Sequence, residues 1–267
     1  MRLKDAHAVV VGGSTGVGAA LVRRLASEGA RCTVIALPGE DLEKVVAEVG
    51  GTAMPMDLSD LDQVDGAIDR AIEAGGPVDV LVCNAAVSPS GPFQDMTAKE
   101  LRDATVINMV SQMELIRQVI PGMVERGTGT ITTTGSLSTE MSMIHLGGYV
   151  PSKAGLTKCA LDLQAELRDY GIRVFTFLLG SVKGTALANK AIEDPVVDFI
   201  ERRAGDMGVL SPERVADRMT EVIGSDRSSA LITIPKVAAG LVQFRNLPVR
   251  LLEPVMTRPA RKFKRGG

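Results

Sequence analysis

Over its first third the chain alternates short aliphatic runs with helical patterns, and no other feature limits its fold so much. AHAVVVGG, RCTVIAL, TAMPMDLS and VDVLVCNAA read as strands. Between them GVGAALVRRLASEGA, DLEKVVAEVG and LDQVDGAIDRAIEAGG read as helices, each closed by glycine. The strand runs are apolar throughout, which predicts a mainly parallel sheet covered by helices on both faces. The second half continues in kind. AKELRDATVINMVSQMELIRQVIPGMVERG is a long helical stretch, GTITTTGS a strand, VPSKAGLTKCALDLQAELRDYG a helix, IRVFTFLLG a strand and ALITIPK the last strand. No linker, repeat or low-complexity segment interrupts the pattern, so residues 1–267 are expected to form one doubly wound α/β domain.

VVVGGSTGVGAA joins the first strand to the first helix. Gly12, Gly16 and Gly18 allow a tight turn and close approach of the backbone to a pyrophosphate, which would sit at the N-terminus of the helix opening near Gly18. A turn packed for its own sake is the alternative, because glycine-rich loops are common.

Composition narrows the function. Trp is absent and aromatic residues make up only 3%, so the stacking platforms that grip single-stranded nucleic acid are lacking. Cys32, Cys83 and Cys159 are scattered without metal-ligand spacing and read as buried thiols in a reducing compartment; no metal site is expected. No signal-peptide pattern or apolar run long enough to span a bilayer is evident, and a cytoplasmic location is expected.

Tyr149 is one of two tyrosines in the chain and stands four residues before Lys153, with Pro151 between them. In the first turn of a helix that spacing places both side chains on one face, and Pro151 is tolerated there. An ammonium beside a phenol favours the phenolate and would lower a pKa that is about 10 in isolation. A half-buried Tyr beside a solvated Lys remains open on the pair alone.

Four further features fall in order. CNAA ends the fourth strand, Asn108 lies in TVINMVSQ within the long helix, Ser136 ends GTITTTGS, and Tyr149 and Lys153 follow. With the glycine loop, this series resembles the short-chain dehydrogenase/reductase family over roughly residues 5 to 223. The match departs at Val11, Cys83, Ala86, Leu179 and Gly184. The resemblance implies a Rossmann-like fold, a nicotinamide cofactor, and a carbonyl or alcohol substrate. It implies that Tyr149 exchanges the proton, Ser136 holds the substrate oxygen, Lys153 lowers the Tyr pKa and holds the nicotinamide ribose, and Asn108 positions a water of the proton relay. It also implies cofactor contacts at Gly12, Ser14, Thr15, Gly16, Val17, Gly18, Asp57, Asn84, Ala85, Tyr149, Lys153, Val182 and Thr185. Alternatives stay open at three of these: Asn108 as a structural amide, Ser138 in place of Ser136, and Asp57 as a helix-start acid. His145, in the loop before Tyr149, reads as an incidental loop histidine, with a reach into the site as the alternative.

At the end of the second strand Ala36 stands where an acid would bind a free ribose 2′-OH, with Glu40 and Asp41 a few residues late. That balance leans to NADP(H), with NAD(H) open. Residues 186 to 210 are expected to form a substrate lid of one or two short helices. The first 226 residues carry a net charge of about −10 and the remainder about +8. The apolar, basic extension of about 237–267 is expected to pack on the domain or on another subunit, with peripheral contact to anionic lipid as the alternative. A homodimer is expected, through the helices holding Asn108 and following Tyr149, with a homotetramer as the other possibility. The rival to an enzyme is a nucleotide-binding sensor or scaffold that keeps the fold without turnover.

Overall fold

The computed structural model describes residues 3–204, 210–225 and 230–240. Most of the C-terminal extension, and with it the expected lipid or subunit contact, lies outside the described residues.

Seven parallel strands form one sheet in the order β3-β2-β1-β4-β5-β6-β7. They are β1 (His7–Val11), β2 (Arg31–Ala36), β3 (Thr52–Pro55), β4 (Val80–Cys83), β5 (Gly129–Ser136), β6 (Ile172–Leu179) and β7 (Leu231–Ile234). The central strands are buried along their whole length, as their unbroken aliphatic runs require. Alternate residues feed two separate cores. Ala8, Val10, Val34 and Val82 pack with α1 (Gly16–Ser27) and α10 (Pro212–Gly224) on one face. Val9, Val11, Ile35 and Leu81 pack on the other face with α4 (Ala67–Gly75), α6 (Ser111–Arg126) and α7 (Tyr149–Leu167). This is the period-two side-chain alternation of a strand, applied to a sheet with no wet face.

Two helical stretches differ from expectation. LDQVDGAIDRAIEAGG is two helices, α3 (Leu61–Val64) and α4, because Asp65 is extended and Gly66 takes φ +64°. Left-handed backbone at a glycine ends the first turn and lets the second helix leave at a new angle. The long stretch after Thr97 is α5 (Ala98–Thr105), a π-helical turn over Val106–Val110, and then α6. Thr97 and Glu100 form a reciprocal capping box that fixes its start. α2 (Glu40–Val49) follows β2, and the expected lid segment contains α8 (Ala186–Ala191) and α9 (Pro195–Ala204).

Candidate active site

β1 and β4 are adjacent and parallel although β2 and β3 separate them in sequence, so the chain reverses its direction of travel across the sheet at this point. The crevice beyond their carboxyl ends is where open parallel sheets bind ligands. A cavity of about 850 Å³ occupies it, lined by Gly12, Ser14, Thr15, Gly16 and Val17 at one end and by Ser136, Tyr149 and Lys153 at the other.

The glycine loop fits a nucleotide closely. Gly12 has φ +74°, and a Cβ there would lie 2.6 Å from the Ala85 Cα. A Cβ on Gly18 would lie 1.9 Å from the Gly12 carbonyl oxygen. The loop is thus drawn flat against the end of β4, leaving backbone exposed at the start of α1 for a pyrophosphate. Asn84 braces it, donating from Nδ2 to the Gly12 carbonyl at 3.0 Å. Asp57 lines the same cavity and accepts the Ser59 amide at 2.8 Å, which holds its carboxyl below the usual range. It is not the helix-start acid, because Asp60 is the N-cap of α3. Thr185 caps α8, accepting the Ala188 amide at 3.1 Å, and a Cβ on Gly16 would meet its methyl at 3.1 Å. Val182 lines the wall beside it.

At the other end Ser136 closes β5 and lines the same cavity as the Tyr149 phenol, whose pKa its hydroxyl acts to lower. Ser138 donates its amide at 3.2 Å and its hydroxyl at 2.8 Å to Ser136 Oγ, so it reaches the tyrosine through Ser136. Tyr149 is the first residue of α7, and Pro151 sits in the first turn as its missing N–H permits.

The expected effect of Lys153 on Tyr149 is not what the structure shows. Burial pushes the phenol above its ordinary pKa; the Ser136 hydroxyl opposes this and the Glu201 charge adds to it. The reason is where the amine goes: Lys153 is almost wholly buried, and Nζ donates to the Thr134 carbonyl at 2.9 Å. Burial lowers its own pKa to about 8.

This depression has a consequence for stability. An unfolded Lys titrates near 10.4, so between about pH 8 and 10 the contribution of Lys153 to stability rises with pH, against the opposite contribution of the buried thiols Cys32 and Cys83, which keep their protons to higher pH in the folded chain. Lys153→Met is expected to remove that contribution, so that stability falls more steeply between about pH 8 and 10 than in the natural protein, and to stabilise the nucleotide-free protein at pH 7 by about 2 kcal/mol. Urea titrations of both proteins across that range check it, and an unchanged pH slope in the variant would refute it.

Asn108 is fully buried in the π-turn. Its Oδ1 accepts the Val87 amide at 2.8 Å, while Nδ2 donates to the Val87 carbonyl at 2.9 Å and to Ser152 Oγ at 3.0 Å. Ser152 in turn donates to the Tyr149 carbonyl at 2.7 Å. The side chain is thus a structural clamp holding the start of α7 against the loop after β4.

His145 is not incidental. It sits at φ +63°, and its Nδ1 lies 2.9 Å from Asp194 Oδ2. Asp194 also accepts the Val196 and Val197 amides, so one carboxylate ties the loop before Tyr149 to the start of α9. The two residues are 49 positions apart, so nothing local in the sequence pairs them.

Among the described residues no group of three or more His, Cys, Asp or Glu is disposed to hold a metal ion. Cys83 is buried at the end of β4, its thiol pushed up to about 12 by desolvation. No described helix is long and apolar enough to cross a membrane.

A parallel sheet whose switch-point crevice carries a glycine cradle and a Ser, Tyr and Lys cluster defines a nicotinamide-dependent oxidoreductase. A sequence model of the short chain dehydrogenases matches residues 6–195, and the chain belongs to that family. It is 26% identical over 240 residues to a ketoacyl reductase, HetN, of a Nostoc species, covering 88% of this chain and 81% of that one. A metagenomic short-chain oxidoreductase crystallised with NADP is 27% identical and superposes with a TM-score of 0.72 over 87% of this chain and 98% of its own. A 3-ketoacyl-(acyl-carrier-protein) reductase from Brucella melitensis, crystallised with NADH, shares the fold at 22% identity, with a TM-score of 0.79 over 87% and 97% of the two chains.

Proposed function

We propose that the protein interconverts an apolar ketone or aldehyde and its alcohol, with Tyr149 as the proton donor and acceptor. The carrying observation is the cavity itself: Ser136, Tyr149 and Lys153 meet there, and Met141, Met143, Leu146, Leu187, Phe199 and Ile200 also line it. A bound nicotinamide supplies or accepts the hydride at its C4. Tyr149, kept protonated at neutral pH by its burial, gives its proton to the oxygen of a carbonyl under reduction. Ser136 donates to the same oxygen and stabilises the charge developing on it. Lys153 would hold the nicotinamide ribose, and Val182 and Thr185 would take the carboxamide end. The Asn108 side chain is committed to Val87 and Ser152, so its part in the reaction is to position the start of α7 that carries Tyr149.

The same reading now favours NAD(H). A second cavity, next to the first, is lined by Ser14, Thr15, Leu37, Pro38, Gly39, Glu40 and Asp41, where a ribose 2′-substituent would lie. Two carboxylates and no described cation there suit a hydroxyl and repel a phosphate. Separate fluorescence titrations with NADH and NADPH, followed by turnover assays on medium-chain ketones and secondary alcohols, test both parts. Tighter NADH binding by tenfold or more is expected, with consumption of the nicotinamide on adding ketone. Tighter NADPH binding would overturn the cofactor reading, and nucleotide binding without turnover of any carbonyl or alcohol would favour the sensor.

A further inference from the structure

Glu201 is a carboxylate set into the wall of the substrate cavity, on α9 of the lid. It is half-buried and has no hydrogen-bond or ion-pair partner among the described residues. Its neighbour does not share that isolation: Arg202, exposed on the next position, pairs with Asp198 at 2.8 Å, so the charges of that helix face are spent on each other. Val197 and Ile200, one turn and one residue earlier, are buried, which places Glu201 at the edge of the helix's inward face. The carboxylate is close enough to Tyr149 to push the phenol's pKa upward. Lys153 does not answer it; that amine is held by the Thr134 carbonyl and responds to burial and to Cys83.

A carboxylate on the wall of a largely apolar cavity, where the one lining cation, Lys153, is held by a backbone carbonyl, is costly to desolvate when a substrate fills the cavity. The cost is relieved when the substrate brings a cation of its own. We propose that Glu201 is a recognition site for an ammonium group, and that the substrate is an amino ketone or amino alcohol with an aliphatic body, its nitrogen close to the reacting carbon. The aliphatic body would lie along Met141, Met143, Leu146 and Phe199, and the nitrogen would lie between Glu201 and the Tyr149 end of the cavity. This inference rests on the oxidoreductase reading for its substrate class but not for the site itself, because ammonium binding needs no turnover.

Two matched pairs of probes separate the possibilities. In turnover, 1-amino-2-decanol and 2-decanol are oxidised with saturating NAD+ by the natural protein, Glu201→Gln and Glu201→Asp. The amino alcohol is expected to have a kcat/KM at least tenfold above that of its plain partner. The ratio should fall to about one in Glu201→Gln and recover in part in Glu201→Asp. A role confined to the tyrosine's pKa would instead move the pH profiles of both alcohols together. In binding, calorimetry of dodecylammonium against dodecanol on the NAD+-saturated protein reads the site without chemistry. A preference for the amine that Glu201→Gln removes supports the proposal even where neither alcohol is oxidised, an outcome that would count against the oxidoreductase reading alone. Equal binding of the two ligands, or a preference that survives in Glu201→Gln, overturns it.

Discussion

Tyr149→Phe is expected to lower kcat roughly a thousandfold while leaving the affinity for the nicotinamide nucleotide within a fewfold of its original value. The substitution removes one oxygen and keeps the ring that starts α7, so the packing of the helix is preserved. What is lost is the proton that the carbonyl oxygen must receive. Ser136 can still donate to the substrate, which is why a residual rate is expected rather than none. Steady-state assays with nucleotide titrations on the same preparations decide it. Retained turnover would exclude Tyr149 from the proton step, and lost nucleotide binding would mean that the phenol is needed to shape the cavity.

Gly18→Ala should abolish nucleotide binding, with a loss of at least a hundredfold. The new methyl would lie 1.9 Å from the carbonyl oxygen of Gly12, far inside contact distance, and its neighbour is backbone that cannot rotate away. Either the loop lifts from β4, breaking the Asn84 brace, or α1 shifts along the sheet, and both spoil the anion cradle. A control separates this from a general intolerance of the change. Gly122→Ala, inside α6, meets only the flexible end of Arg126 at 3.2 Å and should stabilise the protein by about 0.5–1 kcal/mol through helix propensity. Thermal melts with and without nucleotide distinguish the two variants. Normal nucleotide binding by Gly18→Ala would show that the loop has slack the present geometry does not reveal.

The aliphatic runs and terminal glycines of the sequence mark every strand of the sheet and most of the helices, because a parallel sheet buried on both faces leaves its strands no polar face to show. The break at Gly66 was missed, since one glycine in an amphipathic pattern is ordinarily tolerated and only the left-handed backbone there reveals a boundary. Motif order picked out Ser136, Tyr149 and Lys153, which do share a cavity. Spacing could say that Lys153 and Tyr149 lie on one helix face, but not that the amine reaches the Thr134 carbonyl, so the direction of the tyrosine's shift was read wrongly. His145 and Asp194 illustrate the other limit. Each is unremarkable locally, and their contact exists only because the loop and the start of α9 meet in three dimensions.

The strand order also bears on how the chain becomes functional as it is synthesised. β1, β2 and β3 can pair as soon as residue 55 has emerged, yet the second edge of β1 stays bare until β4 arrives at Val80. A nascent chain in that interval presents the unpaired flank of a strand that is aliphatic from Ala8 to Val11, an invitation to mispairing. The nucleotide offers it no early rescue: the brace from Asn84 comes with β4, and the lysine that would hold the nicotinamide ribose comes only at residue 153, after β5 has been laid down. Affinity for the cofactor is thus a late property of the chain, and a nucleotide in the medium selects molecules whose sheet is already complete from β3 to β5.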